Sequence, residues 1–175
     1  IIDLSDNLNV AEFNRGDIEK SQIELLKCCG SSKWVDNILA ARPFSSAAHL
    51  NVLAEKIWLE LSKDDYLEAF AAHPKIGDSN TPEKAKNTEK WTHKEQAGMM
   101  TATESIKQEL EKHNREYEKK FGYIFIVCAT GKSAQEMLDL IRQRLKNTPQ
   151  IEINIAAWEQ NKITNLRLKK MLEDA

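Results

Sequence analysis

The chain is expected to fold as an all-α protein: a compact single-domain helical bundle over residues 1–175, with one extended segment near 121–130. Three observations predict this. Apolar residues recur at intervals of three and four through most of the chain, the spacing that lines one face of a helix. Six glycines and four prolines are too few for a many-turned β fold. Only Phe121–Thr130 is rich in β-branched and aromatic residues, and it has no partner strand legible in the sequence. An extended buried connector therefore fits that run as well as a strand does.

The elements follow in order. Asn9-Val10-Ala11-Glu12 has capping-box spacing and is read as the start of a short helix. Residues 17–29 form another, stopped by Gly30. Ser32 can cap a third, with Trp34, Val35, Ile38 and Leu39 on one face and an end at Arg42-Pro43. After Ser45-Ser46, Leu50, Leu53, Ala54, Ile57, Trp58 and Leu61 keep the helical rhythm throughout. Trp34 and Trp58 are read as core. Residues 62–72 turn Tyr66, Leu67, Phe70 and Ala71 inward and lead into His73.

The stretch 74–90 has no periodic apolar face and is read as a long surface loop. A helix is expected over 92–119, with Met99, Ile106, Leu110 and Tyr117 inward. Ser133-Ala134-Gln135-Glu136 is a capping box opening a helix that ends near Asn147. Thr148-Pro149 supplies a cap and a first-turn proline for a last helix running to about Leu172.

Composition narrows the function. Lys and Arg number 25 against 27 Asp and Glu, so the net charge of −2 leaves no footprint for nucleic acid. The longest apolar run, 123–129, is far too short to span a bilayer. Cys28, Cys29 and Cys128 lack metal-ligand spacing and suit buried thiols in a reducing compartment. His49, His73, His93 and His113 form no helical pair of the HExxH kind, so no metal site is expected.

Four places could carry chemistry. His73 stands before Pro74, which bars the helix from continuing and pushes its predecessor out of the α region. Two readings stand for it: a group that exchanges or shares a proton in a cleft, or a helix stop that caps terminal carbonyls. Thr92 and Glu95 have capping-box spacing, and a helix start there would also suit an anion. The backbone of the run Phe125-Ile126-Val127-Cys128-Ala129-Thr130-Gly131 could serve a planar heterocycle or simply pack. Arg167, between Leu166 and Leu168, could snorkel to solvent or grip a carboxylate with two parallel hydrogen bonds.

Taken together and in this order, the segments resemble the family of decarboxylases that act on 2-oxo-4-hydroxy-4-carboxy-5-ureidoimidazoline (OHCU), the last step from urate to allantoin. The resemblance rests on Ala41-Arg42-Pro43-Phe44, His73-Pro74-Lys75-Ile76-Gly77, Glu95-Gln96-Ala97-Gly98, the run 121–129 and the run 162–168. It extends from about Trp34 to Leu172, and residues 1–30 match poorly.

The resemblance implies an all-α enzyme that needs no metal or organic cofactor and forms a homodimer. It implies that His73 and Glu95 are catalytic and that Pro74 shapes the loop of His73. Gln96 would bind polar groups of the substrate, Arg167 would grip an anionic or carbonyl oxygen, and Ile126, Val127, Cys128 and Ala129 would line the pocket. Thr92 departs from the serine that begins the family's S-x-x-E-Q element, keeping the hydroxyl but adding a methyl that restricts its rotamers. The expected setting is cytoplasmic or peroxisomal rather than secreted, with a fused or associated hydroxyisourate hydrolase. Two alternatives stay open: a catalytically degenerate family member, and a non-enzymatic helical interaction module.

Overall fold

Side-chain caps mark where these helices begin, and buried aromatic rings hold them together. The computed structural model describes residues 4–77 and 88–173. Among these, nine α-helices and one 3₁₀ turn make up the regular structure, with no strand, so the all-helical expectation holds. The chain divides into two compact units, Ile1–Ala69 with Asn161–Ala175, and Phe70–Gln160.

The first unit contains α1 (Leu4–Arg15), α2 (Ile18–Cys28), α3 (Ser32–Ala40), α4 (Ala47–Leu59), most of α5 (Lys63–Phe70) and the second half of α9 (Pro149–Glu173). Helix α1 begins at Leu4, so Asn9 lies inside it and is not its cap. The cap of α3 is Ser31, whose hydroxyl accepts from the Trp34 N–H. Ser32, expected in that role, instead donates from its N–H and its hydroxyl to the Glu68 carboxylate, each at 2.8 Å. Ser46 caps α4 by accepting from the His49 N–H.

On α4 the residues four apart, Leu50, Ala54 and Trp58, are fully buried, while Leu53, Ile57 and, past the helix end, Leu61 lie at the edge of the core. Trp34 and Trp58 are both core, as expected, and the Trp34 indole donates to the Ala54 carbonyl at 3.2 Å, tying α3 to α4. Truncating a buried tryptophan of this kind costs roughly 3–5 kcal/mol. On α5, Tyr66 and Phe70 are buried, but Ala71 is exposed and Ala69 takes the inward place.

The second unit contains α6 (Glu89–Glu95), the 3₁₀ turn Ala97–Thr101, α7 (Glu104–Phe121), α8 (Ala134–Arg144) and the first half of α9. The single helix expected over 92–119 is thus three pieces. Thr103 starts α7 by accepting from the Ile106 N–H, because its side chain satisfies a donor that the helix leaves open. Gly122 ends α7 in the left-handed conformation at φ 84°, which costs glycine nothing.

Leu110 and Tyr117 face inward on α7 as expected, whereas Met99 and Ile106 are only half-buried. Ser133 caps α8 as predicted, and the Thr148 hydroxyl accepts from the Ile151 N–H at the start of α9. Residues 124–129 form a buried connector without helix or strand, the second of the two forms that their sequence allows. Of the expected loop 74–90, residues 78–87 lie outside the described residues, and 89–90 already belong to α6.

Candidate functional site

Helix α5 stops at Phe70, and the His73 N–H turns back to the Phe70 carbonyl at 3.2 Å. Pro74 follows and is buried, so the ring of His73 leaves the backbone at a point that cannot become helical. His73 Nε2 lies 2.5 Å from Oε1 of Gln160, a fully buried residue on α9. An amide oxygen only accepts, so the proton of this contact sits on Nε2.

The rest of the segment is held just as closely. Lys75 pairs with Glu118 at 2.9 Å. The Ile76 carbonyl accepts from the Asn114 side chain at 3.2 Å. The Gly77 N–H donates to Gln96 Oε1 at 2.9 Å. Gly77 has φ 77°, a conformation that favours glycine, and the one side-chain atom near it is the flexible end of Met99. Contacts from α7, α9 and the end of α6 thus fix residues 73–77.

Thr92 and Glu95 are not a capping box. Thr92 is the fourth residue of α6 and Glu95 the last, one turn further along, so their spacing places them on the same face. The anion site expected at a helix start therefore does not lie at Thr92. Both residues are buried, and the Thr92 hydroxyl oxygen has no hydrogen-bond partner. A buried hydroxyl in that state costs about 1–3 kcal/mol unless something meets it. His93 is exposed.

Ile126, Val127, Cys128 and Ala129 are all buried. Much of the backbone expected to face a heterocycle already has protein partners. Arg144 Nη1 donates to the Ile126 carbonyl at 2.5 Å, and the Lys132 ammonium donates to the Cys128 carbonyl at 2.7 Å. The Cys128 N–H reaches Glu159 at 3.4 Å. Gly98 lets the 3₁₀ turn approach this wall, because a Cβ there would sit 2.1 Å from the Lys132 carbonyl oxygen.

Arg144 anchors the connector from behind. Its Nε lies 2.6 Å from a Glu152 oxygen that also accepts from the Tyr117 hydroxyl at 2.6 Å, and its guanidinium stacks over Phe125 at 4.5 Å. Burial, then the neighbouring carboxylate, pushes the Tyr117 phenol far above its ordinary value, so it stays a donor.

Arg167 belongs to the other unit. It is 4% exposed, so it does not snorkel. Its Nη1 donates to the Lys27 carbonyl at 3.0 Å, and the Thr164 hydroxyl donates to the Cys28 carbonyl. Both close the end of α2, whose last carbonyls lack helical partners. Burial pushes the Cys28 thiol far up and the Cys29 thiol to about 12, so neither is a nucleophile near neutral pH.

One unit therefore brings His73, Pro74, Thr92, Glu95, Gln96 and the 126–129 wall onto elements tied to one another. Sequence reading missed Gln160, Glu159 and Asn114, the buried polar residues that make three of these ties. Among the described residues no group of three or more His, Cys, Asp or Glu side chains gathers as a metal would require. No described helix is long and apolar enough to cross a membrane.

The arrangement offers a seated imidazole, a buried carboxylate and an unpaired hydroxyl, a set suited to moving a proton on a small polar ligand. Comparison with known proteins points the same way. The sequence profile of the family described as OHCU decarboxylase matches residues 14–169, beginning well before Trp34. The uric acid degradation bifunctional protein TTL of Arabidopsis thaliana is 38% identical over 161 residues, covering 90% of this chain and 49% of that protein. This chain thus spans about half the length of that relative. The 2-oxo-4-hydroxy-4-carboxy-5-ureidoimidazoline decarboxylase of Amia calva is 24% identical over 136 residues, 78% of each chain. A crystal structure of OHCU decarboxylase in the presence of (S)-allantoin superimposes with a TM-score of 0.75 at 38% identity, covering 91% of this chain and all of the other. With a profile match across most of its length and a fold shared at that identity, the chain belongs to the OHCU decarboxylase family.

Proposed function

We propose that this chain, acting as one family domain, is a cofactor-independent decarboxylase that converts OHCU to (S)-allantoin in urate degradation. The observation that carries the reading is the His73 corner: an imidazole seated against a buried amide, beside Pro74, within the stretch that matches the family.

The substrate's carboxylate and hydroxyl share one ring carbon, and the ureido group sits on the next. When the bond to CO₂ breaks, its electron pair moves into the unsaturated ring. A proton then lands on the ureido-bearing carbon, and the hydroxyl becomes the product's carbonyl. The ring is itself the electron sink, so what the protein must supply is ionisation, orientation and a proton on one face.

In this reading His73 stabilises the developing charge and handles the proton, and Glu95 fixes the ligand's orientation. Gln96 turns its carbonyl end to Gly77, so its NH₂ end is the group it offers to a carbonyl of the substrate. The Thr92 hydroxyl and the 126–129 wall complete the contact surface. A homodimer in the cytoplasm or peroxisome, with a fused or separate hydroxyisourate hydrolase supplying the unstable substrate, belongs to the same proposal.

The test is to generate OHCU in the cuvette from urate and follow its decay by absorbance, with and without the folded chain. Accelerated decay, with one CO₂ released per allantoin formed, is the expected result. Decay at the background rate overturns the proposal.

A further inference from the structure

We propose that Gln160 is a positioning residue that fixes the tautomer of His73 and so decides which ring nitrogen handles the proton. This deepens the decarboxylase reading and, in its catalytic half, rests on it.

Gln160 lies on α9 with no exposed surface, after the buried Ala156 and Ala157 and before the buried Ile163. Its amide has no solvent to turn into. The group it meets comes from 87 residues earlier in the chain, at the point where Pro74 has already fixed the backbone of His73. Its carbonyl oxygen faces Nε2 at 2.5 Å, and two acceptors facing each other at that distance repel. The neutral ring therefore carries its proton on Nε2 and its lone pair on Nδ1. Nδ1 becomes the atom that takes a proton from a bound substrate or, once charged, returns it.

Two further observations fit. The next residue back, Glu159, is also buried and reaches the Cys128 N–H on the connector. Successive helix residues point about 100° apart, so this turn of α9 is pinned in two directions and its amide cannot swing. The partner is also an amide rather than a carboxylate. A carboxylate at Nε2 would fix the ring equally well but would also hold the imidazolium, whereas the neutral amide sets orientation without adding a charge of its own.

The experiment is imidazole ¹⁵N NMR on the unliganded protein, with the His73 resonances assigned by comparison with His73→Asn. It compares wild type, Gln160→Leu and Gln160→Glu, each shown to be folded by circular dichroism. Wild type is expected as the Nε2–H tautomer. Gln160→Leu should move the ring toward the mixed population of a free histidine and lower kcat by about ten- to a hundredfold with KM little changed. Gln160→Glu, which keeps an acceptor in place, should restore the Nε2–H form and recover part of kcat.

An unchanged tautomer in Gln160→Leu overturns the proposal, whatever the activity. A shifted tautomer with full kcat overturns its catalytic half. Wild type that is folded, carries the Nε2–H tautomer and fails to decarboxylate OHCU overturns the decarboxylase reading, and the catalytic half with it, while the tautomer assignment stands.

Discussion

Within the second unit, helix α9 carries two buried polar groups, and they are built on opposite plans. Glu152 is a charge met by a charge: Arg144, Tyr117 and Asn147 all donate to it, and the arginine reaches on to the Ile126 carbonyl. Gln160, two turns later, is a neutral amide against the ring of His73. The first arrangement meets the carboxylate with a guanidinium, a phenol and an amide, all donors held by the scaffold. The second orients a titratable ring without neutralising it. On the proposed reading, the contrast separates the scaffold from the corner that moves a proton.

The comparison predicts that substitutions at the two places fail in different ways. The largest effect on turnover belongs to His73→Asn, which keeps a polar side chain but removes the proposed proton carrier. It should fold normally and lower kcat by about a hundred- to ten-thousandfold. Steady-state kinetics beside a thermal melt checks both halves.

Arg144→Met should do the reverse. Stranding the Glu152 charge in the core costs about 3–5 kcal/mol, read as an early urea midpoint. The double variant with Glu152→Met should recover much of that loss, because no uncompensated charge remains. If Arg144→Met is as stable as wild type, the Glu152 cluster does not anchor the connector.

Thr92→Val should have a smaller effect, and one of mixed sign. Replacing an unpartnered buried hydroxyl by a methyl of similar shape removes an unsatisfied group and should stabilise the folded chain by about 1 kcal/mol. If that hydroxyl meets the substrate, KM rises in the same variant. A higher melting temperature with unchanged KM removes Thr92 from the binding surface.

The smallest effect is on alkaline stability. Burial raises Cys29 from 9.0 to about 12, and raises Tyr123 from 10.0 to about 12. The unfolded chain loses these protons first, so it binds fewer of them than the folded chain as pH rises. Stability from these groups is therefore intact below pH 9.0 and falls progressively toward about 12. Urea unfolding at a series of pH values should show that decline, and Cys29→Ala should remove part of its slope.

Much of the scaffold is legible in local sequence pattern. The α4 rhythm through Leu50, Ala54 and Trp58, the cap Ser133, and the break at His73-Pro74 all lie where that pattern puts them. The failures have a common cause. Thr92 and Glu95 three residues apart look the same to sequence whether they open a helix or share a face within one, and here the second holds. The end of α6 and the 3₁₀ turn had no local signal, because what requires Gly98 is a carbonyl at Lys132, far along the chain.

Gln160 and Glu159 were missed for a different reason. They fall on the stripe of α9 that also carries Ala156, Ile163 and Arg167, where polar residues ought to have stood out as misplaced. Periodicity identified the helix, but a polar residue on its inward face is meaningful only once its partner is known. Arg167 shows the limit from the other side. Its residue type suggests a ligand, yet the contact it makes in its own unit closes the end of α2.

The most direct test of the central claim is the optical activity of the product. Urate is oxidised and hydroxyisourate hydrolysed, and circular dichroism follows the allantoin formed with and without this chain. Uncatalysed decay delivers a proton to either face and yields racemic product. Rapid appearance of (S)-allantoin with the wild-type chain, and loss of that signal in His73→Asn, is the expected result. Racemic allantoin at the background rate from a folded wild-type sample would contradict the claim.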